Sequence, residues 1–135
     1  MIVICEPVCW GGEHVPFNAG MLEMIRTAFP REELLFFGEQ SHIEQVQRQV
    51  GPSIAASISW RVIILPDRKA KYSRRFLREI KIVRNLLGIL RQNPNENLLF
   101  TAAEPSTLVV FKLLAKFLPR DLYVQVVLHG GSSFR

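Results

Sequence analysis

Ile2-Val3-Ile4-Cys5 runs into Trp10-Gly11-Gly12-Glu13-His14-Val15 at the head of the chain, and Val124-Gln125-Val126-Val127-Leu128 runs into His129-Gly130-Gly131 near its foot. Each is a short apolar run closed by a glycine-bearing loop. Between them, β-branched apolar runs alternate with stretches of helical period. Strands are predicted over 2–6, 33–37, 60–65, 97–102 and 122–128, and helices over 14–29, 40–50, 72–92 and 105–118. Runs such as Val62-Ile63-Ile64-Leu65 are continuously apolar, as parallel strands buried on both faces require. The alternation predicts an α/β fold: a three-layer α/β/α sandwich on a five-stranded parallel, Rossmann-like sheet in the order 3-2-1-4-5. In such a sheet every strand C-terminus opens on one edge, so the glycine loop and the histidine loop meet where these sheets bind ligands.

Punctuation supports these boundaries. Pro30 and Gly51-Pro52 close the first two helices, Asn93-Pro94-Asn95 closes the third, and Ser73 and Pro105 suit helix starts. In the third helix Phe76, Ile80, Val83, Leu87 and Leu90 step by four and three residues and form the expected core stripe. The fourth helix is apolar nearly all round, leaving only Lys112 and Lys116 for water. Apolar area on it is expected to be sticky, and self-association is the expected result.

A chain of 135 residues, 48% hydrophobic, is one globular domain. No apolar run is long enough to span a bilayer and no signal-peptide pattern opens the chain, so a cytoplasmic location is expected. Cys5 and Cys9 have neither thioredoxin spacing nor a second cysteine pair, so neither a zinc site nor a disulfide is expected from them, and no cofactor is implied. The net charge of +5 is local. Between residues 68 and 91 nine basic residues face one acid, Glu79, for +8, which leaves −3 elsewhere. On a helical wheel Lys71, Arg74, Arg78 and Lys81 fall opposite the core stripe, with Arg75 in the same cluster and Ile82 and Ile89 on or beside that face. Basic residues flanked by apolar ones describe a surface for anionic lipid, at the inner face of the membrane, or for a lipid-linked acceptor. Nucleic acid fits less well, because the patch lacks an array of aromatics for stacking bases.

Gly11 and Gly12 let the backbone approach a ligand, and the helix that follows offers N–H groups and a positive dipole end. That suits a phosphate or a sugar hydroxyl. The loop matches neither the dinucleotide fingerprint nor a P-loop. His14, Glu104 after the fourth strand and His129 after the fifth are the polar groups expected on the same edge.

Together, Gly11-Gly12-Glu13-His14-Val15, Asn18-Ala19-Gly20-Met21-Leu22 and Val127-Leu128-His129-Gly130 resemble the N-terminal half of the retaining GT-B glycosyltransferases that use nucleotide-sugar donors. The resemblance implies an acceptor-binding domain over 1–135. Gly11 and Gly12 would then lie beside the donor diphosphate, His129 near the transferred sugar, and His14 and Glu104 would line the half-cleft. That family holds its nucleotide mainly on a second Rossmann-like half with a paired-glutamate motif, which these 135 residues lack. A truncated, inactive half-domain is therefore expected, which would meet donor and acceptor only together with the missing half. Two other readings stand beside it. One is a binding-only α/β module. The other is a degenerate receiver domain, with Asp67 after the third strand and Thr101 after the fourth, but with Cys5-Glu6 in place of an acidic pair.

Overall fold

The computed structural model describes residues 1–9, 11–63, 72–92, 97–116 and 123–127. Nine elements follow in strict alternation: β1 (Ile2–Cys5), α1 (Val15–Ala28), β2 (Leu34–Glu39), α2 (Gln40–Ala56), β3 (Ile58–Ile63), α3 (Tyr72–Gln92), β4 (Asn97–Phe100), α4 (Pro105–Ala115) and β5 (Tyr123–Val126). The strands form one sheet in the order β3-β2-β1-β4-β5. Every pairing is parallel, with Ile2 opposite both Leu34 and Asn97, Leu34 opposite Ile58, and Asn97 opposite Tyr123. This is the α/β architecture and strand order that the sequence predicts.

Period-two alternation divides the strands between two cores. Ile4, Leu34, Phe36 and Ile58 pack under α1 and α2. Val3, Cys5, Leu35, Phe37, Leu98 and Phe100 pack under α3 and α4. Helix α2 is broken where the sequence expects its end: Gly51 stands at φ 77, ψ 164, and Pro52 opens a last short turn that carries the chain to β3.

The helix surfaces differ from the wheel reading in two places. Phe76, expected in the core stripe, is 56% exposed and its neighbour Leu77 58%, whereas Ile82 is buried and Ile89 packs against the core. The stripe is thus wider and begins later, because α3 meets both the sheet and α4 over its second half. On α4, Thr107, Val110 and Phe111 turn inward and Val109 and Leu113 outward, so the apolar face expected of this helix is at the surface. No helix among the described residues is long and apolar enough to cross a membrane.

Candidate functional site at the carboxyl edge of the sheet

The strand order reverses beside β1, whose neighbours β2 and β4 lead the chain in opposite directions. At this switch point the loops after β1 and β4 face each other. Glu6 leaves β1 directly. Its N–H extends the ladder to the Phe37 carbonyl at 2.8 Å, and its side chain is fully buried. Buried carboxylates need donors, and four are present. Oε1 accepts from the N–H groups of Val8 and Cys9 at 3.3 and 3.2 Å. Oε2 accepts from Thr101 Oγ1 at 2.6 Å and from Asn18 Nδ2 at 3.3 Å. One carboxylate therefore folds its own loop back and ties it to β4 and α1.

Asn18 Nδ2 also donates to His42 Nε2 at 2.8 Å, and His42 Nδ1 lies 2.8 Å from the Gly11 carbonyl. A carbonyl only accepts, so Nδ1 carries the hydrogen toward Gly11 and Nε2 receives the Asn18 amide. Both Asn18 and His42 are fully buried. Glu39, which ends β2, caps α2 by accepting from Ser41 Oγ and the His42 N–H, and it also accepts from the Gly11 N–H. Partial burial alone would raise its carboxyl pKa. The hydrogen bonds from Ser41, His42 and Gly11 outweigh that, and the pKa lies below the usual value.

The glycine loop is thus held by its backbone on both sides of Gly11, which sits at φ 50. A Cβ on Gly11 would meet Gln45 Nε2 at 3.3 Å, and one on Gly12 would meet Gln45 Oε1 at 3.2 Å. Close approach to α2 is what the glycines serve here. Beyond them, Gly12, Glu13 and His14 are exposed at the start of α1. His14 is the N-cap residue, in the left-handed region at φ 55, where a non-glycine side chain is strained. Its Nδ1 lies 3.2 Å from Cys9 Sγ. The loop can offer a ligand backbone N–H groups, an imidazole and a helix N-terminus without rearranging first.

Of the other sequence-predicted residues, Glu104 stands at the N-cap position of α4, without a side-chain capping bond, on the opposite face of the sheet and lies 3.5 Å from the Arg78 guanidinium. Its carboxylate therefore has a cationic partner. That same Arg78 is the residue at which the basic face fails. Only 10% of its side chain is exposed, and it pairs with buried Glu79 as well as Glu104. Lys81 is exposed. Lys71, Asp67 and His129 lie outside the described residues, as do the side chains of Arg74 and Arg75. Thr101, weighed as a receiver-type hydroxyl, is engaged by Glu6.

No protein-family model matches the chain, and no curated protein matches it. The site has to be read from its own chemistry.

Sequence reasoning missed Glu6, Glu39 and His42 and used Asn18 only as part of a motif. A signal existed for the first: an acid directly after a fully apolar strand, with Pro7 behind it, cannot reach solvent along the strand. Nothing local marks His42. A groove of about 750 Å³ lies at the other end of the sheet, between Met21 and Met24 of α1, Phe29 just after it, and Leu99, Tyr123 and Gln125 of β4 and β5. It is mainly apolar and distant from the polar network.

Proposed function

We propose that this chain is the acceptor-side half of a nucleotide-sugar-dependent transferase of the GT-B kind, without turnover by itself. The observation that carries the reading is the loop after β1, described over 6–9 and 11–14, clamped at the switch point of a parallel sheet by buried Glu6 and presenting Gly12 and His14 ahead of α1. A departing diphosphate needs fixed hydrogen-bond donors, and a glycine loop at a helix N-terminus supplies them. Rigidity matters because donors that are already oriented cost no reorganisation as charge develops. His129, beyond β5 in sequence, takes the role of a hydrogen-bonding group near the transferred sugar. Glu104, half-exposed and paired with Arg78, is the second polar group of the proposed half-cleft.

The acceptor side is supported at α3. Phe76 and Leu77 are exposed next to Arg74 and Arg75 in sequence, and Lys81 is exposed one turn on. Such a mixture suits the headgroup region of an anionic membrane that carries a lipid-linked acceptor.

Amide NMR with a nucleotide-sugar titration tests the donor part. Shifts confined to residues 11–18 are expected, with millimolar affinity, about −4 kcal/mol. Shifts at the distant groove instead, or micromolar affinity without a partner, would overturn the half-site reading. Binding to anionic vesicles is expected to weaken as salt rises past about 0.15 M and to fall when Phe76 and Leu77 are changed to Ser. Salt-independent binding, or none, removes the membrane part.

A further inference from the structure

Glu6, Cys9 and His14 bring a carboxylate oxygen, a sulfur and an imidazole nitrogen within 4.8 Å of one another. We propose that these three residues form a binding site for a borderline-soft divalent cation of the Zn²⁺ type, with its remaining coordination open toward solvent on the His14 side. The proposal does not rest on the sugar-transferase reading, although both concern this loop.

The donor set is the first argument. Sulfur, imidazole nitrogen and carboxylate oxygen are the three protein ligands of zinc, and three of them with an open position make the usual reactive arrangement. Zinc bonds of about 2.0–2.3 Å at tetrahedral angles set ligand atoms about 3.3–3.7 Å apart. Cys9 Sγ and His14 Nδ1 already stand at 3.2 Å. The carboxylate lies within 4.8 Å of both and must move inward to close the set.

Charge is the second argument. Glu6 is fully buried, and no Lys or Arg among the described residues pairs with it. Neutral donors and backbone N–H groups surround it instead. A buried carboxylate is better compensated by a cation, and a metal ion would supply one. Oε2 holds the short bond from Thr101, whereas both bonds to Oε1 are long, at 3.3 and 3.2 Å, so Oε1 is the more weakly held oxygen, and coordination there would replace one of these two bonds.

The third argument is an orphan. Asn18 Oδ1 is buried and accepts no hydrogen bond, although its own amide nitrogen reaches Glu6 and His42. A metal-bound water is a donor of the kind that oxygen lacks. The positive end of α1 opposes a cation here, but it acts through partial charge at a distance, whereas thiolate and carboxylate bond the ion directly.

The shape of the loop agrees. His14 occupies its left-handed conformation one residue before α1 and five after Cys9, which turns the imidazole back over the loop onto the sulfur. On coordination the Cys9 S–H bond breaks, its proton passes to solvent and the Zn–S bond forms, with no change of oxidation state.

Cobalt(II) titration of the full chain, followed by absorbance, tests the site. One equivalent should produce a sulfur-to-cobalt charge-transfer band and strong visible bands of a four-coordinate ion, displaced by Zn²⁺ and unaffected by excess Mg²⁺, which prefers oxygen. The band should be lost in Cys9→Ser and in His14→Ala and kept in Cys5→Ala. Glu6→Gln should weaken binding by at least about tenfold. His14 is exposed, so His14→Ala is expected to fold, and circular dichroism checks this. Absence of the charge-transfer band in the folded parent chain, its persistence in His14→Ala, or displacement by Mg²⁺ would each overturn the proposal.

Discussion

Two glutamates are buried on opposite sides of this sheet, and they are satisfied in opposite ways. Glu79, on α3, lies beside the Arg78 guanidinium and accepts from Thr107 Oγ1 of α4 at 2.5 Å. Glu6, after β1, is held by two backbone N–H groups, a hydroxyl and an amide, with no basic side chain among the described residues. Glu79 has its countercharge built in and joins two helices, which is a structural task. Glu6 lacks one and shapes the loop at the ligand edge. A buried carboxylate without a countercharge carries a net cost, and Glu6 carries it at the switch point of the sheet. Cys5, between the two, feels both. Burial, followed by the Glu6 and Glu79 charges, pushes its thiol pKa well above the ordinary value.

If the contrast is right, the largest effect belongs to Arg78. Removing it as Arg78→Ala leaves Glu79 buried without a cation and should cost about 3–5 kcal/mol in urea unfolding. The double change Arg78→Met/Glu79→Met should recover most of that, because the lone buried charge goes with its partner. A cost below about 1 kcal/mol for Arg78→Ala would show that Glu79 does not depend on the Arg78 countercharge.

Glu6→Gln should be milder in stability, about 2–3 kcal/mol, because one acceptor oxygen survives while the new amide confronts other donors. Its signature should be local. Amide exchange of residues 8–14 should accelerate far more than that of β2 or β4. Uniform acceleration across the sheet would mean that Glu6 supports the fold as a whole, as Glu79 does.

Cys5 sharpens the comparison through pH. The folded chain keeps this thiol protonated while the unfolded chain ionises it. Stability is therefore full below the ordinary thiol pKa and should fall as pH rises above it, by about 1.4 kcal/mol per pH unit. Subtracting the Cys5→Ala profile isolates this slope. Parallel profiles above pH ~9 would contradict the direction of the shift.

The smallest effect is expected at Glu39, which is only partly buried. Its lowered pKa contributes stability that is present above the unfolded carboxyl pKa and lost as pH falls through the folded one. Solvent screening keeps the contribution small, so Glu39→Gln should only flatten the acid limb of the stability profile. A steeper acid limb in the variant would reverse the assignment.

Parallel order and layer architecture were legible in the sequence because they follow from local facts: apolar runs such as Ile2–Cys5 and Leu34–Phe37, helical period between them, and Gly51-Pro52 as a break. The hydrophobic pattern repeats at every strand, and right-handed crossovers leave few ways to connect the strands. The glycine loop was visible too, at the right edge of the sheet. What only the tertiary structure decided is what that loop is tied to. Glu6 meets Thr101 across 95 positions of sequence, and His42 meets Gly11 across 31. A hydrogen bond leaves no periodic trace, and its partner can lie anywhere along the chain. The same holds for Arg78, which the helical wheel puts in water and the fold turns between two carboxylates of α3 and α4. Patterns of burial are written locally because each strand or helix must face the core by itself. Pairings of polar groups become determined only when separate elements have docked, and the chemistry of this chain rests on those pairings.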